Sequence, residues 1–165
     1  MAGEVSFDVV SEYDRQELVN ALDQARREIG TRYDFKGSKA ELELGKEEIL
    51  LHADTEFRAK AMRDLLESKA IRRGLSLKVF DWGALEEAGG NTVRQKIGLR
   101  RGLPDDVAKK ITRLIREDFP KLKSQIQGDA VRVSGKSKDE LQRLMARLRD
   151  ESEEYPVPLQ FQNYR

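Results

Sequence analysis

Cysteine is absent from this 165-residue chain. That excludes a disulfide scaffold, a cysteine nucleophile, iron–sulfur ligation and the usual zinc fingers. The single histidine, His52, gives little footing for a histidine-based metal site or a Ser-His-Asp triad. It follows Leu51 in a strand-like stretch and reads as structural. Long apolar runs are missing too: none reaches the ~18 residues that span a bilayer. Residues 1–6 lack the basic and apolar regions of a signal peptide. The expectation is a soluble, cytoplasmic protein with no membrane partner, metal or cofactor. Aromatic residues are sparse, and Trp82 is the only tryptophan.

An excess of one charge is also lacking, since the formal net charge is +1. The balance is uneven along the chain, however. Residues 1–90 carry 14 Lys and Arg against 19 Asp and Glu; residues 91–165 carry 17 against 11. The second half is therefore expected to attract an anion. The alternative is a solvated surface of mixed charge.

The apolar residues that are present fall into a repeated pattern. Val5, Phe7 and Val9 alternate with polar residues, as in a strand over 4–10. Asp14 with Glu17 resembles a capping box, and Leu18, Leu22, Ala25 and Ile29 then share one helical face. Leu42 and Leu44, then Ile49 to Leu51, form a hairpin pattern. Asp54 or Thr55 caps a second helix carrying Met62, Leu65, Leu66 and Ala70. Leu75, Leu77 and Val79 alternate again. Residues 81–91 are small, acidic and glycine-containing, and read as a linker. A second round follows. It has a strand over 92–101, a helix after Pro104 with Val107, Ile111, Leu114 and Ile115, and two strands flanking Gly128-Asp129. Ser137 with Glu140 then caps a last helix, and residues 158–164 close the series. Two β-α-β-β-α-β rounds predict an α+β fold, a tandem of ferredoxin-like domains over 1–90 and 91–165. Each would be an antiparallel four-stranded sheet with two helices on one face. A single eight-stranded mixed sheet is the alternative.

If helices cover one face of each sheet, the other face is open to a ligand. Arg94, Lys96 and Arg100 line the polar side of the 92–101 strand, either to bind an anion or to discourage edge pairing. Ser134-Gly135-Lys136-Ser137 lacks the glycine spacing of a P-loop. It retains only a helix N-terminus where an anion is favoured. Arg32, Tyr33, Phe35 and Lys36 place cations and rings in one loop, to bind bases and phosphates or to anchor the loop. Trp82 either stacks on a ligand or fills an interface. The strands at 92–101 and 130–134 lack the exposed aromatics of an RNA-recognition domain. No acidic pair has a nucleophile or metal partner, so the expectation is that the protein is not an enzyme.

Several of these stretches together resemble the YajQ family of bacterial proteins. They are Ser6 to Glu12 (SFDVVSE), Thr31 to Gly37 (TRYDFKG), Ala108 to Ile111, Gln125 to Gln142 (QIQGDAVRVSGKSKDELQ) and Pro158 to Arg165 (PLQFQNYR). The resemblance implies two ferredoxin-like domains that exchange their first strands. Residues 4–10 would then pair into the second domain and 92–101 into the first. It also implies nucleotide binding without a catalytic reaction: some members are associated with cyclic di-GMP, others with GTP or tRNA. The motif positions it brings are Arg32, Tyr33, Phe35, Lys36, Lys109, Lys110, Gln127, Arg132, Lys136 and Lys138. The chain departs from the family at Arg100-Arg101, where a Lys-Gln pair is common, and at Gly98, which suggests a bulge. The leading expectation is a cyclic di-GMP or GTP effector that stacks guanine on Tyr33, Phe35 or Trp82. The alternative is an RNA-binding protein using a cationic sheet face, and a downstream protein partner remains open.

Overall fold

A computed structural model describes residues 3–165; Met1 and Ala2, which begin the stretch read for a signal peptide, lie outside the described residues. In chain order the elements are β1 (Val5–Val10), α1 (Arg15–Thr31), β2 (Glu41–Leu44), β3 (Glu48–Ala53), α2 (Glu56–Arg72), β4 (Phe80–Ala88), β5 (Thr92–Leu99), α3 (Asp105–Asp118), β6 (Lys123–Gln127), β7 (Ala130–Gly135), α4 (Lys138–Asp150) and β8 (Gln160–Gln162). They build two four-stranded antiparallel sheets, β6-β7-β1-β8 and β2-β3-β5-β4. Each sheet packs two helices on one face. This is an α+β fold of two ferredoxin-like units rather than one eight-stranded sheet.

The chain divides into two compact units. One holds the residues up to Glu12 together with Arg101–Arg165, and the other is Tyr13–Arg100. The first takes β1 as its opening strand, followed after a long insertion by α3, β6, β7, α4 and β8. The second is that insertion. Its elements run α1, β2, β3, α2, β4, β5, so the last strand occupies the place that an opening strand holds in the first unit. A boundary at residue 90 falls at the turn between β4 and β5, two paired strands of one sheet.

Local chemistry starts each helix. The Asp14 carboxylate accepts from the N–H groups of Gln16 and Glu17 at 3.0 and 3.2 Å. Thr55 Oγ1 accepts from Arg58 N at 3.1 Å, and Ser137 Oγ from Glu140 N at 3.2 Å. Pro104 stands at the N-cap of α3, where its missing N–H loses no helical bond. Each helix then buries an apolar stripe on its sheet. Leu18, Leu22, Met62 and Leu66 meet Ile49, Leu51 and Ile97 in the 13–100 unit; Ile111, Ile115, Leu141 and Leu144 meet Phe7, Val9, Val131 and Val133 in the other. Such side chains contribute about 1.5–3 kcal/mol each on full burial.

Three expectations need correction. Residues 81–91 are not a linker: residues 81–88 belong to β4, and the turn at 89–91 joins it to β5. The acidic residues that looked like linker, Asp81, Glu86 and Glu87, are exposed on an edge strand. The alternation at 75–79 is not a strand, because Leu77–Val79 forms a 3₁₀ turn and pairing begins at Phe80. The irregularity expected at Gly98 lies across the ladder, between Trp82 and Leu85. Regrouping the chain also removes the charge asymmetry. The 13–100 unit carries 17 Lys and Arg against 16 Asp and Glu, and the other unit 14 against 14.

Candidate functional site

In a sheet, residues opposite one another across the ladder point to the same face. In the 13–100 unit, the face away from the helices therefore carries the rows Glu41–His52–Arg94–Glu86 and Glu43–Leu50–Lys96. These seven residues line a depression of about 410 Å³. Its floor is Leu50, a leucine left 40% exposed. Carboxylates of the edge strand β2 stand on one side, and the cations of the inner strand β5 on the other. The cations have partners: Lys96 Nζ lies 2.9 Å from Glu48, and Arg94 Nε 3.6 Å from Glu86. Arg94, Glu86 and Lys96 are exposed and Glu48 is half-buried, so each pair holds its cation by only ~0–1 kcal/mol. An incoming anion can displace them. The face is amphoteric, not the uniform cationic surface expected. His52, expected to be structural, is exposed between Glu41 and Arg94.

Arg100 does not continue this row. It lies beyond β5, donates to the carbonyls of Lys78 and Phe80 at 3.2 and 3.4 Å, and approaches Asp81 at 3.4 Å. It fastens the start of β4. Trp82 faces the helices, opposite Ile97, and its ring is partly buried against Phe80 and beneath the Arg63 guanidinium. It fills the core edge of its unit.

The loop after α1 forms a second depression, lined by residues 29–38 except Asp34 and by Ala40, with a volume of about 520 Å³. Its aromatic pair has divided labour. Phe35 is buried and anchors the loop, whereas Tyr33 is 88% exposed. Arg32 is bound to Asp34 at 2.7 Å and lies over the Phe35 ring. Lys36 is exposed. This depression shares no lining residue with the one on the sheet.

In the other unit the helix-free face is polar and almost ring-free. Gln125, Arg132, Asp8 and Gln162 stand in one row across β6, β7, β1 and β8. Asp8 is buried beneath its partners: it accepts from Arg132 Nε at 2.9 Å, Arg132 Nη2 at 3.3 Å and Asn163 Nδ2 at 2.7 Å. The hydrogen bond from Arg132 holds the Asp8 carboxyl below its ordinary range, against the opposing effect of burial. Gln127 adds a further amide at 3.4 Å from Gln125. Lys136 and Lys138 are exposed at the β7–α4 turn, off this face. Lys109 and Lys110 lie on α3, with Lys110 bound to the Glu154 carbonyl and over the Tyr155 ring.

The predicted residues are thus spread over several surfaces. Sequence reasoning missed Glu41, Glu43, Leu50 and Glu86 on one sheet, and Asp8, Gln125, Gln162 and Asn163 on the other. Glutamines 125, 127, 160 and 162 recur at spacings of two, which was the available signal: a strand puts such residues on one face.

Residues 5–165 match the family model described as "Nucleotide-binding protein YajQ-like". Full-length relatives include proteins called "Nucleotide-binding protein" from Chloroflexus aggregans, 54% identical, and Trichodesmium erythraeum, 55% identical. One from Thermosynechococcus vestitus is 54% identical. Each alignment covers all of both chains.

Proposed function

The chain belongs to the YajQ-like family, and we propose from that premise that it is a non-enzymatic, cytoplasmic nucleotide-binding protein whose site is the sheet depression around Leu50. The carrying observation is the polarity of that depression. A guanine nucleotide presents N–H donors at one end and phosphate at the other. Glu41 and Glu43 are acceptors suited to the N1–H and N2–H groups of guanine, and Arg94 and Lys96 are suited to phosphate. Leu50 offers an apolar floor for the base between them. The volume, about 410 Å³, sits at the low end of small-molecule sites and matches one nucleotide or half of a dinucleotide. Cyclic di-GMP is the ligand we put first, with GTP as the comparison.

Calorimetric titration tests this reading. Saturable, micromolar binding of cyclic di-GMP is expected. Arg94→Ala and Lys96→Ala should each weaken it by about tenfold or more, the loss of one charge-assisted contact. Glu43→Gln should reduce the preference for guanine over adenine. No saturable heat with either nucleotide at millimolar concentration would overturn the reading, as would unchanged affinity in both cation variants.

A second reading has one observation in its favour. The row Gln125–Arg132–Asp8–Gln162 offers amide and guanidinium groups of the kind that read base edges. RNA binding there predicts a steep fall in affinity with salt, whereas a dinucleotide with two phosphates predicts a shallow one.

A further inference from the structure

Helix α2 departs from an ordinary amphipathic pattern. It buries Ala59, Met62, Leu65, Leu66 and Ala70 in its own unit. It also carries Phe57, 80% exposed, and Ile71, 58% exposed. At about 100° per residue, Phe57, Ala61, Asp64, Ser68 and Ile71 fall within an arc of roughly 80°. Single exposed apolar residues are ordinary. Two at opposite ends of one stripe, separated by the short side chains of a half-buried Ala61, Asp64 and Ser68, are not.

The stripe also carries a cavity. A depression of about 410 Å³ is lined by Asp64, Glu67, Ser68, Ile71 and Arg72. The Phe57 ring stands out at the start of the helix, and the shallow, open depression beside Ile71 lies near its end. A surface that carries both is complementary to a copy of itself turned about a two-fold axis.

We propose that two copies of the chain associate through antiparallel α2 helices, each Phe57 seating beside Ile71 in the depression of the partner copy. Centring the pair on Asp64 sets Phe57 against Ile71, Lys60 against Ser68 and Ala61 against Glu67. Lys60 and Glu67 lie on the same flank of the stripe, and the two-fold keeps like flanks together. Each Lys60 therefore meets Glu67 of the other copy, giving two ion pairs. The two Asp64 carboxylates approach near the axis, within reach of the Lys60 ammonium groups. One helix face falls short of the ~1,200 Å² of a standard interface, so the dimer is weak and reversible.

Sedimentation analysis of the full chain, from micromolar to millimolar concentration, tests this. The weight-average mass is expected to rise from the monomer toward twice that value. Phe57→Glu and Lys60→Glu should each weaken association by about tenfold. The double reversal Lys60→Glu/Glu67→Lys should return it to near the wild-type value, which also shows that the helix still folds. Circular dichroism of Phe57→Glu should match the wild type. A chain that stays monomeric throughout overturns the proposal, and so does a dimer insensitive to Phe57→Glu or unrescued by the charge reversal.

Discussion

Asp8 shows how one residue can hold a site together. Its carboxylate is buried yet satisfied by Arg132 and Asn163, and Arg132 holds its pKa below the ordinary range. The unfolded chain binds the Asp8 proton near pH ~3.9, while the folded chain resists it. Stability from this group is therefore complete above that value and is lost as pH falls through the lower, folded value. Asp8→Asn should lower the urea midpoint at pH 7 and converge on the wild type in strong acid. An equal gap at both pH values would contradict it. Arg132 and Gln127 were legible in the sequence because they stand in a recognisable stretch. Asp8 was not: its bonds to Arg132 and Asn163 cross 124 and 155 residues, and only the register of β1 between β7 and β8 supplies them. The same holds for Glu43 and Lys96, which meet only through β3.

Among the elements, the helices were the readable ones. Asp14, Thr55 and Ser137 announce their starts by a chemistry that acts within three residues. Strand β4 was not readable. Glu86 and Glu87 are exposed on opposite faces of this edge strand, and a shift between Trp82 and Leu85 breaks the alternation. Gly83 belongs to this irregularity. A Cβ there would stand 2.5 Å from the carbonyl oxygen of Lys96, whereas one at Gly89 would have nothing within 4 Å. Gly83→Ala should therefore cost about 1–3 kcal/mol as an overpacked contact, and Gly89→Ala no more than about 0.5 kcal/mol. Chemical denaturation of the two variants checks this. Equal effects would mean that residues 80–88 do not form a tightly paired strand.

At the scale of the whole molecule, one unit is continuous in the chain and the other is not. A fragment spanning residues 13–100 should unfold cooperatively by itself. A fragment spanning residues 101–165 lacks the inner strand β1, so Val131, Val133 and Phe161 lose their neighbours. It should show no cooperative transition until a peptide of residues 3–12 is added, as circular dichroism with and without the peptide would report. Cooperative unfolding of the 101–165 fragment alone would refute this. The same discontinuity has a consequence on the ribosome. Among the described strands β1 is made before the other seven, and its two partners, β7 and β8, are the last two. At about 5–20 residues per second, its apolar residues Phe7 and Val9 wait roughly six to thirty seconds for β7 and β8. During that interval the nascent chain carries a fully formed 13–100 unit behind an unpaired strand. Translation that stalls before Ala130 leaves that strand without either neighbour, exposed as a seed for aggregation.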